Sequence, residues 1–208
     1  MTVTTSEQQE QARSARRASD GQRRRELLEA ATSCFGELGY EATTAQAITS
    51  RAGVSRATFY AYFSSREEIF GAVAGQVCQE LLDAQHLEGA IVDDLREVLR
   101  ATTTAVITAY FRHGAIVGLV DHRARLDPAI GDLWSSVRER LVARYARFIS
   151  RIAATGEATP CAPPATVAQT LADAQLVGSA RLASSSDDER AQYISDMIVM
   201  SERLIGFT

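Results

Sequence analysis

The sequence predicts an all-α protein with a three-helix head and a larger helical-bundle body, about nine helices in all. Apolar residues recur at spacings of three and four along most of the chain, which is the period of an amphipathic helix. No alternating apolar run bounded by turn residues indicates a strand. With 208 residues and 46% hydrophobic content, the chain is long enough to bury one sizeable core or two smaller ones.

The first helix is predicted at about 22–38. Leu27 and Leu38 lie on its apolar face, and Gly39 is expected to end it in a left-handed cap. The preceding residues, 1–20, lack apolar periodicity and are expected to form a flexible basic tail.

Two short helices follow and form a helix, turn, helix pattern. A capping box of Thr43 and Gln46 is predicted to begin the first of them, and Gly53 to end it. Ser55 can cap the second helix, and Phe63 is expected to close it. The second helix of such a pair presents its N-terminal side chains to the major groove of DNA.

The body is predicted to begin with a long helix capped by Ser65 and Glu68. Another long helix is expected to end at about residue 113, with a shorter segment at 114–125 behind it. Proline is favoured at the first helical position because its missing N–H is not needed there. Asp127 and Pro128 therefore begin the next helix, and the last three helices are predicted at about 127–154, 164–183 and 187–206.

Charge is distributed unevenly along the chain. Up to Arg66 there are nine arginines and seven acidic residues, whereas the whole chain has a formal net charge of −4. The first third is therefore the part that suits a polyanion, although a basic tail without a partner is the alternative. Because no signal segment and no long uninterrupted apolar run occurs, a cytoplasmic protein without membrane contact is expected.

The second short helix carries residue types that bind DNA. Arg56 can form two hydrogen bonds to guanine O6 and N7. Ser55, Thr58, Tyr60 and Tyr62 can donate hydrogen bonds to phosphates. The alternative is that both tyrosines pack in the core, but side chains two apart on a helix point in different directions. At least one tyrosine is therefore expected to be exposed.

The segment TTAQAITSRAGVSRATFYAYFSSREEIF, residues 43–70, resembles the signature of the TetR family of bacterial transcriptional repressors. The resemblance implies about nine helices, a homodimer joined through the last two, and a ligand cavity in the body. It divides the chain into a tail (1–20), a helix-turn-helix DNA-binding domain (21–66) and a ligand-binding and dimerisation domain (67–208). The chain departs from the family pattern at Thr49, Ala57 and Arg66, where Ala, Gly or Pro, and Lys are common.

By position, the resemblance implies a set of DNA contacts: Arg23, Arg24, Arg25, Thr44, Ser55, Arg56, Ala57, Thr58, Tyr60, Tyr62 and Arg66. Ser55, Arg56 and Ala57 would lie near base edges, and the others near the backbone. For the three consecutive arginines, a solvated helix start is the alternative. More narrowly, the segment around Trp134 is similar to a long helix of the mycobacterial ethionamide-resistance type of repressor.

Two further sites are expected in the body. Bulky apolar side chains with polar tips predict a ligand pocket, with ordinary core packing as the alternative; its residues are Tyr110, Phe111, His113, Trp134, Val137, Leu141 and Tyr145. Small and apolar side chains on the last two helices predict a dimer interface, with packing inside one chain as the alternative. Its residues are Leu171, Ala174, Gly178, Ile194, Met197, Ile198, Ser201, Leu204 and Ile205.

Together these features predict a ligand-responsive repressor that binds a palindromic operator in double-stranded DNA as a homodimer. A small apolar or amphipathic effector would release it. The alternative is a DNA-binding regulator without an effector, which acts by dimerisation or partner recruitment. An enzyme is not expected. Asp83 and His86 have the spacing of a carboxylate-x-x-His metal motif, but metal sites in helical bundles need a second such motif, and none occurs in the sequence. No cofactor and no metal are expected, and the three cysteines form no CxxC pair.

Overall fold

The computed structural model describes residues 5–86 and 94–207, with the backbone alone for 5–18. Within these ranges the chain forms eight helices and no named strand, which confirms the predicted all-α class. A single isolated β-bridge pairs Ala158 with Phe207. The helices are α1 (Thr5–Ala42), α2 (Ala45–Ala52), α3 (Arg56–Tyr62), α4 (Arg66–Ala84), α5 (Leu95–Arg123), α6 (Pro128–Ala154), α7 (Pro164–Arg181) and α8 (Asp187–Ile205).

The chain divides into two compact units, Met1–Val73 and Ala74–Thr208. The division falls inside α4, so the first part of this helix belongs to one unit and the rest to the other. The sequence instead predicts a boundary between residues 66 and 67, at the start of α4. We refer to the two units as the head and the body.

The first helix is longer than predicted, because α1 begins at Thr5 rather than at about residue 22. The sequence places residues 5–20 in a tail because they lack an apolar face. That segment is nevertheless rich in Gln, Glu, Ala and Arg, which have high intrinsic helix propensity. Near the other end, Gly39 has φ 77 and ψ 175 and interrupts the helix where the sequence predicts a stop.

The cap of α2 lies one residue later than predicted. Thr44 is the N-cap, and its side chain accepts a hydrogen bond from the Ala47 N–H at 3.1 Å. The predicted capping box of Thr43 and Gln46 is wrong. Thr43 is fully buried and donates its hydroxyl to the Gly39 carbonyl at 2.7 Å, so it closes the end of α1 instead.

The short helix α3 has the predicted ends. Ser55 is its N-cap and accepts a hydrogen bond from the Thr58 N–H at 3.1 Å, and Phe63 is its C-cap. Between α2 and α3, Gly53 has a φ of 66°, as expected of a left-handed cap. Because these signals are local, a short stretch of sequence is enough to place both ends of α3.

Aromatic rings fill the centre of the head. Phe70 meets Phe35 and Tyr40 edge-on, with ring centroids 5.0 and 4.9 Å apart, while Phe35 and Tyr40 stack on one another. Phe59 and Phe63 are also buried. Aromatic side chains bury large apolar areas, so this cluster contributes strongly to the core of the head.

In the body, α5 is one continuous helix, whereas the sequence predicts a long helix and a separate segment at 114–125. Gly114 lies inside it, at a point where an added Cβ would be 3.6 Å from the Cβ of Ala183. By length and composition alone α5 could cross a membrane. It contacts α6, α7 and α8 and buries side chains such as Ile107 and Val117, as the core helix of a soluble body does.

The last two helices approach closely at a glycine. The Tyr193 hydroxyl of α8 donates to the Ala174 carbonyl of α7 at 2.6 Å. A Cβ added at Gly178 would lie 2.0 Å from that hydroxyl oxygen. The space above Gly178 is therefore occupied by the tyrosine.

We expect Gly178→Ala to lower the free energy of unfolding by about 1–3 kcal/mol, because the new methyl group displaces Tyr193. Gly118→Ala is the matched control, since it adds the same methyl group to α5 where no atom lies within 4 Å. Alanine is the better helix former, so the control should gain about 0.5–1 kcal/mol. Urea denaturation followed by circular dichroism measures both, and a gain in stability for Gly178→Ala would show that Tyr193 offers no obstruction.

Candidate functional site

The N-terminal turn of α3 is the most exposed part of the helix-turn-helix. Arg56 and Ala57 are both solvent-exposed. Within residues 5–86 and 94–207, the Arg56 guanidinium forms no hydrogen bond or ion pair. An arginine in this state keeps all its donors for an external acceptor, as a contact with a guanine edge or a phosphate requires.

Two of the predicted hydroxyl contacts, Ser55 and Thr44, are also helix caps. The Ser55 and Thr58 hydroxyl oxygens lie 2.9 Å apart at the start of α3, and Thr44 caps α2. A capping oxygen accepts a hydrogen bond from a backbone N–H, but its own proton remains available. The Thr44 hydroxyl can therefore cap α2 and donate to a phosphate at the same time.

The two tyrosines of α3 differ in their surroundings. Tyr60 is 55% exposed and rests edge-on against Phe59, which confirms that at least one tyrosine is exposed. The Tyr62 hydroxyl instead donates to the Asp20 carboxylate of α1 at 3.2 Å. Desolvation, and then the charge of Asp20, raises the pKa of Tyr62. The Tyr60 hydroxyl is therefore the freer donor of the two.

The three consecutive arginines of α1 are exposed, and each has a neighbour on the protein. Arg23 pairs with Glu26 at 3.1 Å, and Arg25 donates to the Gln22 side chain at 3.4 Å. The Arg24 guanidinium lies 5.3 Å from the centre of the Phe63 ring. Surface pairs of this kind contribute little to stability, so these arginines can exchange their partners for phosphates.

Arg66 is held within the head. Its guanidinium lies 4.5 Å from the centre of the Tyr40 ring and donates to the Tyr40 and Glu41 carbonyls at 3.4 and 3.3 Å. It also pairs with Glu67 at 3.2 Å. This geometry gives Arg66 a structural role, joining the start of α4 to the end of α1, which the sequence does not suggest.

A second arginine also has a structural role, and no prediction from the sequence named it. Arg51 in α2 makes two hydrogen bonds to the Glu37 carboxylate of α1, at 2.7 and 2.6 Å. The hydrogen bonds lower the pKa of Glu37. The two residues are on different helices, so no local spacing rule could have paired them.

The body contains a cavity of about 540 Å³. Among the described residues its lining consists of Gln85, His86, Leu95, Val98, Leu99, Thr102, Thr103, Val106, Arg144, Tyr145, Phe148, Arg151 and Gln175. Of the seven residues predicted for a ligand pocket, only Tyr145 belongs to this lining. The described lining therefore includes a later stretch of α6 than the one predicted, from Arg144 to Arg151, and the ligand site stays a prediction.

The other predicted pocket residues have different positions. Trp134, Val137, Leu141 and Tyr110 are buried in the body, and the Trp134 ring N–H donates to Asp121 at 3.0 Å. His113 Nε2 lies 2.7 Å from a Glu80 carboxylate oxygen, and Phe111 packs against Tyr193. The apolar stripe of a helix shows that one face is buried, but not whether it meets a cavity or another helix.

The residues predicted for the dimer interface differ in their burial. Five of them are buried inside the chain and cannot form a surface: Leu171, Gly178, Met197, Ser201 and Ile205. Ala174 is exposed, and Ile194, Ile198 and Leu204 are half-buried. The exposed apolar side chains on these helices are instead Val177, Val199 and Met200, which the sequence analysis missed. They lie away from the main stripe of each helix, so the periodicity gave no signal for them.

Comparison with known proteins agrees with this architecture. Residues 27–73 match the family described as bacterial regulatory proteins, tetR family. The HTH-type transcriptional repressor AcnR of Corynebacterium diphtheriae is 27% identical over 184 residues, which cover 87% of this chain and 92% of the relative. An HTH-type transcriptional repressor of Mycobacterium tuberculosis is 26% identical over 182 residues, covering 87% and 93%.

A solved structure gives the same fold. A TetR-like transcriptional regulator from Rhodococcus sp. RHA1 superimposes with a TM-score of 0.70 at 22% identity, over 87% of this chain and 94% of that one. The names of these relatives denote regulators of transcription and not enzymes. The helix-turn-helix of the head, the helical body and these similarities lead to one conclusion: the chain is similar to TetR-type transcriptional regulators over most of its length, and residues 27–73 carry the match to the tetR family itself.

Proposed function

We propose that the protein is a cytoplasmic repressor that binds a palindromic operator as a homodimer and is released by a small amphipathic effector. The observation that carries this proposal is the exposed first turn of α3, where the Arg56 guanidinium, which has no partner among the described side chains, precedes Tyr60. DNA binding and repression agree with the names of the relatives that align over most of their length.

Within this proposal, the DNA contacts fall into two groups. Arg56 reads a base edge, because a guanidinium matches the two acceptors of guanine in the major groove. Thr44, Tyr60 and the arginines at 23–25 contact the phosphate backbone and set the position of α3 on the duplex. Arg66 is left out of the contacts, because its donors are used within the head.

The exposed faces of α7 and α8 support a dimer. Val177 is 67% exposed, and Val199 and Met200 are each 44% exposed. Ala174 and Ser195 are also exposed there, and such small side chains let helices of two subunits approach closely. In a dimer with two-fold symmetry this surface is used twice, and the two recognition helices must lie about 34–36 Å apart to enter successive major grooves.

The cavity of the body supports effector control. Helix α4 belongs to both units, so a change at its end in the body can alter its position in the head. An effector shifts such an equilibrium only by its difference in affinity for the two states, and near-complete release requires about 5.5 kcal/mol. The alternative, a regulator without an effector, would leave the cavity without a function.

We expect Arg56→Ala to weaken operator binding by about 1–3 kcal/mol and to relax the preference at one base pair of each half-site. The operator is first selected from a random duplex library, and fluorescence anisotropy then measures binding to its single-base variants. Arg147→Ala, an exposed arginine of α6, is the control and should bind as the parent does. An unchanged base profile for Arg56→Ala would remove this residue from the base contacts.

The two tyrosines should respond differently to loss of the hydroxyl group. Tyr60→Phe should weaken binding to operator and scrambled duplexes alike, by about 0.5–1.5 kcal/mol, because it removes a phosphate contact. Tyr62→Phe should have a smaller effect, since its hydroxyl is bonded to Asp20. Anisotropy titrations at several salt concentrations test both variants, and a larger loss for Tyr62→Phe would reverse their roles.

Val177→Asp should convert the dimer to a monomer, because it places a charge in the proposed apolar interface. Leu126→Asp is the matched control, since Leu126 is 63% exposed in the turn between α5 and α6. Light scattering after gel filtration measures the mass, and circular dichroism tests whether each variant is folded. Two dimeric variants, or two monomeric ones, would contradict this interface.

A further inference from the structure

Among the residues that the structure describes, the lining of the body cavity contains two arginines and no carboxylate. Arg144 and Arg151, two turns apart on α6, both line it. The Arg144 guanidinium donates to the Leu82 carbonyl at 2.7 Å, and the Arg151 guanidinium lies 5.7 Å from the centre of the Phe148 ring. Within the described ranges neither arginine has a carboxylate partner. Two uncompensated cations in a concave site attract an anion.

Two polar atoms of the lining also have no hydrogen-bond partner among the described residues. The Gln85 Oε1 atom is buried without a hydrogen bond, while its Nε2 donates to the Leu141 carbonyl at 3.2 Å, which fixes the amide. The Tyr145 hydroxyl is buried without a hydrogen bond as well, although the Thr103 and Ser201 hydroxyls are near it. A buried polar atom without a partner is unfavourable, so a ligand whose oxygen accepts from the Tyr145 hydroxyl gains affinity, whereas the Gln85 Oε1 atom is itself an acceptor and cannot bind a carboxylate.

Tyr145 is suited to donate rather than accept. Burial raises its pKa to about 12, with the neighbouring hydroxyls acting in the opposite direction. The phenol therefore stays protonated at neutral pH and can donate to an anionic oxygen. Tyr145 and Arg144 both line the cavity, so a neutral donor and a charged donor share the same space.

The remaining wall of the cavity is apolar. Leu99 and Val106 are almost completely buried, and Val98 and Phe148 extend the same surface. A volume of about 540 Å³ is within the range of sites for organic molecules and far exceeds the space that a simple inorganic anion fills. The ligand therefore needs a hydrocarbon part as well as a charged group.

We infer that the effector is an organic acid: a carboxylate whose hydrocarbon body lies along α5 and whose charged group is held by Arg144 and Arg151. This inference rests on the proposed effector-responsive function and specifies its ligand. It also gives a route for regulation. The Leu82 carbonyl is one of the last four of α4, and a carboxylate bound to Arg144 competes for the guanidinium that closes this helix end.

The test uses decanoate as the probe and the full-length protein. Equilibrium dialysis compares decanoate with decanol, which has the same chain and no charge. We expect decanoate to bind saturably and about tenfold more tightly than decanol, because a hydrogen-bonded charge contributes about 1.5 kcal/mol or more.

The arginine variants locate the charged group. Arg151→Gln and Arg144→Gln should each weaken decanoate binding about tenfold and leave decanol binding unchanged. Arg147→Gln, on the same helix but outside the cavity lining, is the matched control and should bind both probes as the parent does. Because Arg144 also closes the end of α4, Arg151→Gln keeps the test valid if Arg144→Gln fails to fold.

Three results would overturn the inference. They are equal affinity for decanoate and decanol, an equal loss of decanoate binding in Arg147→Gln and Arg151→Gln, and no saturable binding of any saturated carboxylate from butyrate to palmitate.

Anisotropy on operator DNA, with and without decanoate, separates this inference from the proposed function. Charge-selective binding of decanoate without release of DNA would contradict effector control but support the ligand class. Release by decanol as readily as by decanoate would support effector control and contradict the ligand class.

Discussion

The burial of Phe59 beneath α3 is the constraint on which the DNA-binding head depends. Helix α3 has only seven residues, and an isolated helix of that length is unstable in water. Its shape is maintained by the Ser55 cap at one end and the buried Phe63 at the other. With the inner face fixed in this way, the side chains of Arg56 and Tyr60 lie on the outer face and are exposed to solvent. The exposure that DNA recognition requires is therefore a consequence of how the core is filled.

The arginines of this chain show how one side-chain type serves several purposes. Arg51 and Arg66 are used up by contacts inside the head, with Glu37 and with the end of α1. Arg56 has no such contact in the described part of the chain, and Arg144 and Arg151 line a cavity whose described lining holds no carboxylate. Because the chain contains no lysine, every one of these roles is filled by a guanidinium. Only the neighbours of each arginine separate a structural role from a binding one.

Helix α4 provides the physical link between the two activities that we propose. It starts at Arg66 in the head and ends in the body, where Arg144 donates to the Leu82 carbonyl. The family match covers residues 27–73 and so includes the start of this helix but none of the cavity. The family match therefore accounts for the head and leaves the ligand to the particular residues of the body.

The sequence by itself determined the all-α class, the helix-turn-helix and most helix ends. These features depend on local chemistry, such as the Ser55 cap, the Asp127 cap before Pro128 and the break at Gly39. Only the tertiary structure decided what each apolar stripe meets. Leu171 and Met197 lie in the core rather than in a subunit interface, and Trp134 is buried by its neighbours rather than open to a ligand. The physical reason is that amphipathic periodicity reports that a face is buried, whereas its partner depends on how distant helices pack.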